Sequence, residues 1–317
     1  MRHNRLITAA LALGMTVALA GCGGGSDDAG GSDELSGASL IVGSKEFTES
    51  IVLGKITAKV LENAGAKVTD KTGITGSATV RKALEPGDVD MYWEYTGTGW
   101  VNILGNTTTD IPDDLYKAVS DADAKNKVAW LEPAPFEDTY RIAVSDDFGK
   151  KNDISTTSDA AAYIKAHPDD SDICAASAFI NRDDGLPGLE KAYGIAFSDV
   201  VELDLNLVYT QIGKKCPFGE VFSTDGRIVS QKLTVLDDDK SFFVEYLGAL
   251  TLRQEVLDKY PAISDIMAPV SKALTDDVVT DLNAKVDVDG EQPEDIASDW
   301  LDSEGLLEAF EPAGVRN

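Results

Sequence analysis

The chain has 317 residues, 43% of them hydrophobic, which is enough for two domains with cores of their own. Its 28 basic and 55 acidic residues leave a net charge of −27, which excludes the basic footprint demanded by nucleic-acid phosphates and electrostatic adhesion to anionic lipid. With only His3 and His167, a histidine dyad or zinc centre has almost nothing to be built from, and no metal or cofactor is expected.

Residues 1–21 read as a signal peptide. Arg2 and Arg5 precede an uncharged apolar run, residues 6–20, that is too short for a comfortable membrane span. The run ends in Leu19-Ala20-Gly21-Cys22, which resembles the lipobox of bacterial lipoproteins. That resemblance implies cleavage before Cys22 and a lipid on its sulfur; the alternative is an ordinary signal peptide. Residues 22–38 are mostly Gly, Ser, Asp and Glu, and read as a flexible tether. The protein is therefore expected outside the cytoplasmic membrane, anchored by one end. Cys174 and Cys216 remain in the exported part. Their even count points to one disulfide, with two buried free thiols as the alternative.

Residues 39–43 form an apolar strand. Ile51, Val52, Ile56, Val60 and Ala64 recur at helical spacing until Gly65. Residues 66–69 read as a strand and 77–84 as a helix, stopped by Pro86-Gly87. Next comes DVDMYWEYTGTGW, residues 88–100: a strand with Val89, Met91 and Trp93 alternating with Asp90, Tyr92 and Glu94, then a Gly/Thr loop. Rings beside small polar residues at a strand end suit a ligand site in an α/β protein. A helix over about 112–126 completes a strand–helix alternation, the signature of a mainly parallel sheet.

A second α/β set follows over roughly 143–244. Its strands are expected at 139–144, 172–176, 200–203, 220–222 and 233–236. Its helices are expected at 158–166, 185–193 and from Asn206. His167, before Pro168, reads as a solvated helix-end residue. From Pro261 the pattern is helical, ending in a helix opened by Pro293. That tail is expected to pack on the first sheet, so the chain crosses between lobes near Tyr140 and near Val244.

Five stretches, in order, resemble the substrate-binding proteins of osmoprotectant ABC importers. They are Val42-Gly43-Ser44-Lys45-Glu46-Phe47-Thr48-Glu49, Tyr92-Trp93-Glu94-Tyr95-Thr96-Gly97-Thr98-Gly99, Phe136-Glu137-Asp138-Thr139-Tyr140, Arg182-Asp183-Asp184-Gly185-Leu186-Pro187-Gly188-Leu189, and Phe222-Ser223-Thr224-Asp225-Gly226-Arg227-Ile228 followed by Leu236-Asp237-Asp238-Asp239-Lys240. The resemblance implies an α/β periplasmic-binding-protein fold of the second type. Residues 39–142 and 245–317 would form the first lobe and 143–244 the second, joined by two hinge strands. It implies a quaternary-ammonium ligand of the glycine betaine, carnitine or choline kind, held between the lobes. It further implies delivery to the membrane subunits of an importer, with no catalysis. A monomer is expected.

Carried over position by position, the resemblance puts Tyr95, Tyr140, Phe222 and Tyr246 in a cage for the ligand cation. Phe222 replaces a usual tyrosine, and Val244-Glu245 replaces a proline pair before Tyr246. Lys45, Thr98 and Arg182 match the positions that take the ligand carboxylate. Tyr92, Trp93, Tyr193 and Tyr209 match no site position and are assigned to packing. Choline, carnitine or a betaine-bearing amino acid such as ergothioneine are alternative ligands. Choline is disfavoured because it would leave Lys45 and Arg182 buried and unpaired. An extracytoplasmic hydrolase is the weakest alternative, because Asp183-Asp184, Asp237-Asp238-Asp239 and the Ser223 hydroxyl come with no activating base.

Overall fold

The computed structural model describes residues 34–108 and 110–307. The signal peptide, Cys22 and most of the expected tether lie outside these residues. The tether ends earlier than expected. Leu35 and Ala38 are buried, and Leu35 N–H bonds the carbonyl of Ala64, because these two apolar side chains close one end of the first core.

Among the described residues, ten strands form two five-stranded sheets. The first has the order β2-β1-β3-β10-β4, with β1 Ser39–Lys45, β2 Lys67–Ile74, β3 Met91–Tyr95, β4 Val128–Trp130 and β10 Gly248–Arg253. The second has the order β7-β6-β8-β5-β9, with β5 Tyr140–Ser145, β6 Ile173–Ala175, β7 Val200–Glu202, β8 Phe218–Phe222 and β9 Leu233–Val235. In each sheet one strand runs against a parallel set, β10 in the first and β5 in the second. These are the strands that follow the two crossings. Gly248 at the start of β10 pairs with Tyr95 at the end of β3, and Tyr140 at the start of β5 pairs with Phe222 at the end of β8. A chain arriving from the cleft must run away from it, whereas the parallel strands run toward it. The cleft therefore lies at their carboxyl ends, where α/β sheets bind ligands.

The helix Thr48–Asn63 buries Val52, Leu53, Ile56, Val60 and Leu61 over the first sheet, and Gly65, at φ 91°, turns the chain out of it. The three tail helices, Ala262–Ala273, Asp276–Asp287 and Pro293–Ser303, pack on that same helix. All five residues of β3 are buried, so its alternation does not divide core from solvent: both faces are covered. Tyr92, Trp93, Tyr193 and Tyr209 are buried packing residues, and His167 is an exposed helix cap.

Two expectations are corrected. Strands β4 and β10 escape sequence reading, because a short run buried on both faces shows little period-two pattern. The expected Gly/Thr loop after β3 is instead the start of a wide helical turn, Thr98–Ile103.

The crossing segments lie side by side. Glu137 bridges Leu247 in antiparallel fashion, Ala134 N–H bonds Gly248 O at 2.8 Å, and Asp138 N–H bonds Tyr246 O at 3.2 Å. In the second sheet Cys174 and Cys216 are disulfide-bonded with Cα atoms 5.6 Å apart, joining β6 to the turn before β8.

Candidate functional site

Strand ends and crossings deliver side chains to one cavity of about 550 Å3 between the sheets. Lys45 and Phe47 come from the end of β1, Tyr95 from the end of β3, and Thr98 from the helical turn. Tyr140 and Tyr246 come from the crossings, Phe222 from β8, and Arg182 from the loop before the helix Leu186–Tyr193. All seven ligand-site residues expected from the sequence line this cavity.

The rings are in contact. Tyr140 and Phe222 have centroids 4.6 Å apart, and Tyr140 meets Tyr246 edge-on at 5.5 Å. Phe47 is a fifth ring, stacked on Phe222 at 5.4 Å and 6.0 Å from Tyr95. Sequence reasoning quoted Phe47 within a motif but gave it no role. Gly97 makes room for the cage: a Cβ there would lie 2.7 Å from the Tyr246 ring.

Both cavity cations are already paired. Lys45 forms a buried ion pair with Glu94, which also accepts from Tyr92 Oη at 3.0 Å and from the Tyr95 amide at 2.8 Å. Arg182 Nε donates to Asp184 Oδ1 at 2.6 Å. The Arg182 guanidinium also reaches Tyr140 Oη at 3.3 Å, Tyr246 Oη at 3.2 Å and Thr98 Oγ1 at 3.4 Å. Burial opposes the Arg182 charge, but Tyr140, Tyr246 and Asp184 outweigh it and keep the group protonated. Each cation also rests on rings: Lys45 Nζ is 4.8 Å from the Tyr95 centroid, and Arg182 Cζ is 5.2 Å from that of Tyr140. This corrects the expectation about choline. A ligand without an anion leaves neither Lys45 nor Arg182 unpaired, because Glu94 and Asp184 neutralise them from within the protein.

Sequence reasoning also missed three buried carboxyls. Asp138 and Glu220 line the cavity, and burial raises the proton affinity of both well above the usual carboxylate range. Glu49 lies behind Tyr95, is raised by burial as well, and accepts from Tyr95 Oη at 2.6 Å. Thr224, in the loop after β8, has its Oγ1 2.6 Å from Glu49 Oε2 and 2.8 Å from Asp138 Oδ1. Asn283 Nδ2, from a tail helix, donates to Glu49 Oε2 at 3.2 Å and to the Thr224 carbonyl at 3.1 Å. Arg227 lies 3.4 Å from Asp287 across the same gap. Four contacts thus link the second sheet's loops to the first sheet's side: Arg182 with Thr98, Thr224 with Glu49, Thr224 with Asn283, and Arg227 with Asp287. Three of the five carboxylates weighed for acid–base work are engaged elsewhere: Asp184 pairs with Arg182, Asp238 accepts from Tyr193 Oη, and Asp239 accepts from the Ser158 amide at 3.1 Å.

A family model described as the substrate-binding domain of ABC-type glycine betaine transport systems matches residues 38–303. A glycine-betaine-binding protein of Pseudomonas aeruginosa is 35% identical over 280 residues, 85% of this chain and 89% of that one. An ergothioneine transport permease/ergothioneine binding protein of Helicobacter pylori is 34% identical over 84% of this chain, which spans 48% of that protein. Among solved structures, apo YehZ from Escherichia coli has a TM-score of 0.63 at 30% identity, covering 84% of this chain and 99% of that one.

Proposed function

The chain belongs to the family of substrate-binding domains of ABC-type glycine betaine transport systems, and from that premise we propose that it captures a quaternary-ammonium osmoprotectant of the glycine betaine type outside the cytoplasmic membrane, anchored there by lipid on Cys22, and passes it unaltered to the membrane subunits of an importer. The cation of such a ligand has no N–H to donate and is poorly hydrated, so aromatic faces suit it. Each ring contributes on the order of 0.5–2 kcal/mol once desolvated. In this reading Tyr95, Tyr140, Phe222 and Tyr246 hold the cation, with Phe47 beside them. Lys45, Thr98 and Arg182 take the carboxylate of a betaine in competition with Glu94 and Asp184. The observation that supports the reading is convergence: four rings from four separated stretches line one cavity.

A second reading, choline in place of a betaine, has an observation in its favour. Lys45 and Arg182 are internally neutralised, and Asp138 and Glu220 add carboxyls to the wall. The experiment is a titration of the purified protein with glycine betaine, proline betaine, carnitine, choline and ergothioneine, with melting curves and recovery of each compound. At least one is expected to raise the melting temperature and to be recovered unchanged. Chemical turnover, or stabilisation by none of the five, overturns the reading.

A further inference from the structure

Glu220 stands two residues before Phe222 on β8, so the two side chains share the cavity face of that strand. Its residue is 1% exposed. One carboxyl oxygen accepts from the backbone N–H of Ala176, while Oε2 has no hydrogen-bond partner among the described residues. The nearby Arg182 leaves it unserved, because its donors go to Asp184, Tyr140, Thr98 and Tyr246. Asp138, the other buried carboxyl on the wall, is engaged by Thr224. Native proteins seldom leave a buried acceptor without a donor, and one on a ligand-site wall is a place for a donor that arrives with the ligand. The cavity has room for such a ligand. Glycine betaine, with about eight heavy atoms at no more than ~30 Å3 each, fills at most ~240 Å3, against a cavity of about 550 Å3.

We infer that Glu220 accepts a hydrogen bond from an N–H or O–H on the non-cationic part of the ligand, so that the site selects quaternary-ammonium compounds bearing such a donor over those with none. The inference rests on the cavity being the ligand site proposed above. Glycine betaine and proline betaine carry no such group. Choline and carnitine carry a hydroxyl, and ergothioneine a ring N–H.

Two ligand pairs that differ only in the donor test it: carnitine against γ-butyrobetaine, and choline against propyltrimethylammonium. Because burial raises the Glu220 carboxyl and only its ionised form accepts through Oε2, affinities are measured by calorimetry over a rising pH series for the wild type and Glu220→Gln, and the preference is read at its upper end. In the variant the amide oxygen stays on Ala176 N–H and the NH2 group turns to the ligand, donor against donor. The wild type is expected to bind the hydroxyl member of each pair about tenfold more tightly. Glu220→Gln is expected to erase or invert that preference while changing the donor-free members less than about threefold. Glu220→Asp, which keeps an acceptor but withdraws it by one methylene, should lose the preference in part and serves if the amide variant does not fold. No preference in the wild type, or equal losses for both members in the variant, overturns the role of Glu220 and leaves the ligand class standing. Failure of all four compounds to bind the wild type overturns this inference, and failure of glycine betaine, proline betaine and ergothioneine as well overturns the ligand class.

Discussion

Replacing Asp138 by Asn tests whether ligand capture takes up a proton. Thr224 Oγ1 lies 2.6 Å from Glu49 Oε2 and 2.8 Å from Asp138 Oδ1, yet a hydroxyl has one proton to give. One contact is a donation by Thr224; the other needs a proton on the carboxyl. The groups facing the pair fit this. Burial raises both carboxyls; Glu49 and Asp225 raise Asp138 further against Thr224 and Lys45, and Asp225 raises Glu49 against hydrogen bonds from Thr224, Tyr95 and Asn283. Glu49 sits on a helix of the first sheet and Thr224 after a strand of the second, so the arrangement exists only while the cleft is shut. The shut form therefore binds more protons than an open one whose carboxyls are solvated and titrate near 4. Its favourable contribution is complete below about pH 4 and fades as pH rises through the raised value of the pair. Within that window affinity should fall by up to about tenfold per pH unit, the limit for one proton. Calorimetry in buffers of different ionisation enthalpy should record uptake of up to about one proton per ligand in the wild type. In Asp138→Asn the amide supplies a permanent donor to Thr224, so uptake should drop toward zero and the affinity should flatten with pH. No uptake in the wild type at any pH above about 4, or the same uptake in the variant, refutes the reasoning.

Tyr95→Ala should weaken ligand binding more than Tyr95→Phe, because the ring face attracts the cation at about 0.5–2 kcal/mol; Tyr95→Phe also strips Glu49 of a donor and should show most of its cost as a lower melting temperature. Equal affinity losses count against the cage. Arg182→Ala should lower stability by about 3–5 kcal/mol, since Asp184 is left buried and unpaired, and should weaken a betaine by about 2–5 kcal/mol but choline much less. Equal losses for both ligands in calorimetry show that Arg182 does not hold the carboxylate. Breaking the Cys174–Cys216 bond by reduction should cost roughly 2–4 kcal/mol, measured by denaturant unfolding with and without reductant; coincident curves refute it.

Most of the helices and the aromatic strand are legible from local pattern because each buries a stripe or run that its own sequence displays. Strand β10 is not: Gly-Ala-Leu-Thr-Leu-Arg alternates over its last four residues alone and is buried nearly throughout, and only its neighbours β3 and β4 make it a central strand. The positions of the site residues follow from motif resemblance, but their partners do not. Lys45 meets Glu94 across 49 residues and Thr224 meets Glu49 across 175, separations that no local spacing encodes. Glu220 did leave a signal, an acid within the otherwise apolar Phe218-Gly219-Glu220-Val221-Phe222. A charge inside a buried strand asks for a partner or a purpose.

The paired crossings have a mechanical consequence. Two segments bonded to each other through Glu137 and Leu247 act as a two-ply strap. A single linker lets the halves it joins swivel in any direction, whereas a strap bends readily only about the axis across its width. Most rotational freedom is thus removed before any ligand arrives, and its entropy is not lost again at capture. In the proposed reading, a ligand resting on Tyr95 then meets Phe222 and Arg182 at an effective concentration set by the short strap, on the millimolar scale expected of short connections. The two halves return along the same arc each time, so the rings from the two sheets meet in one register.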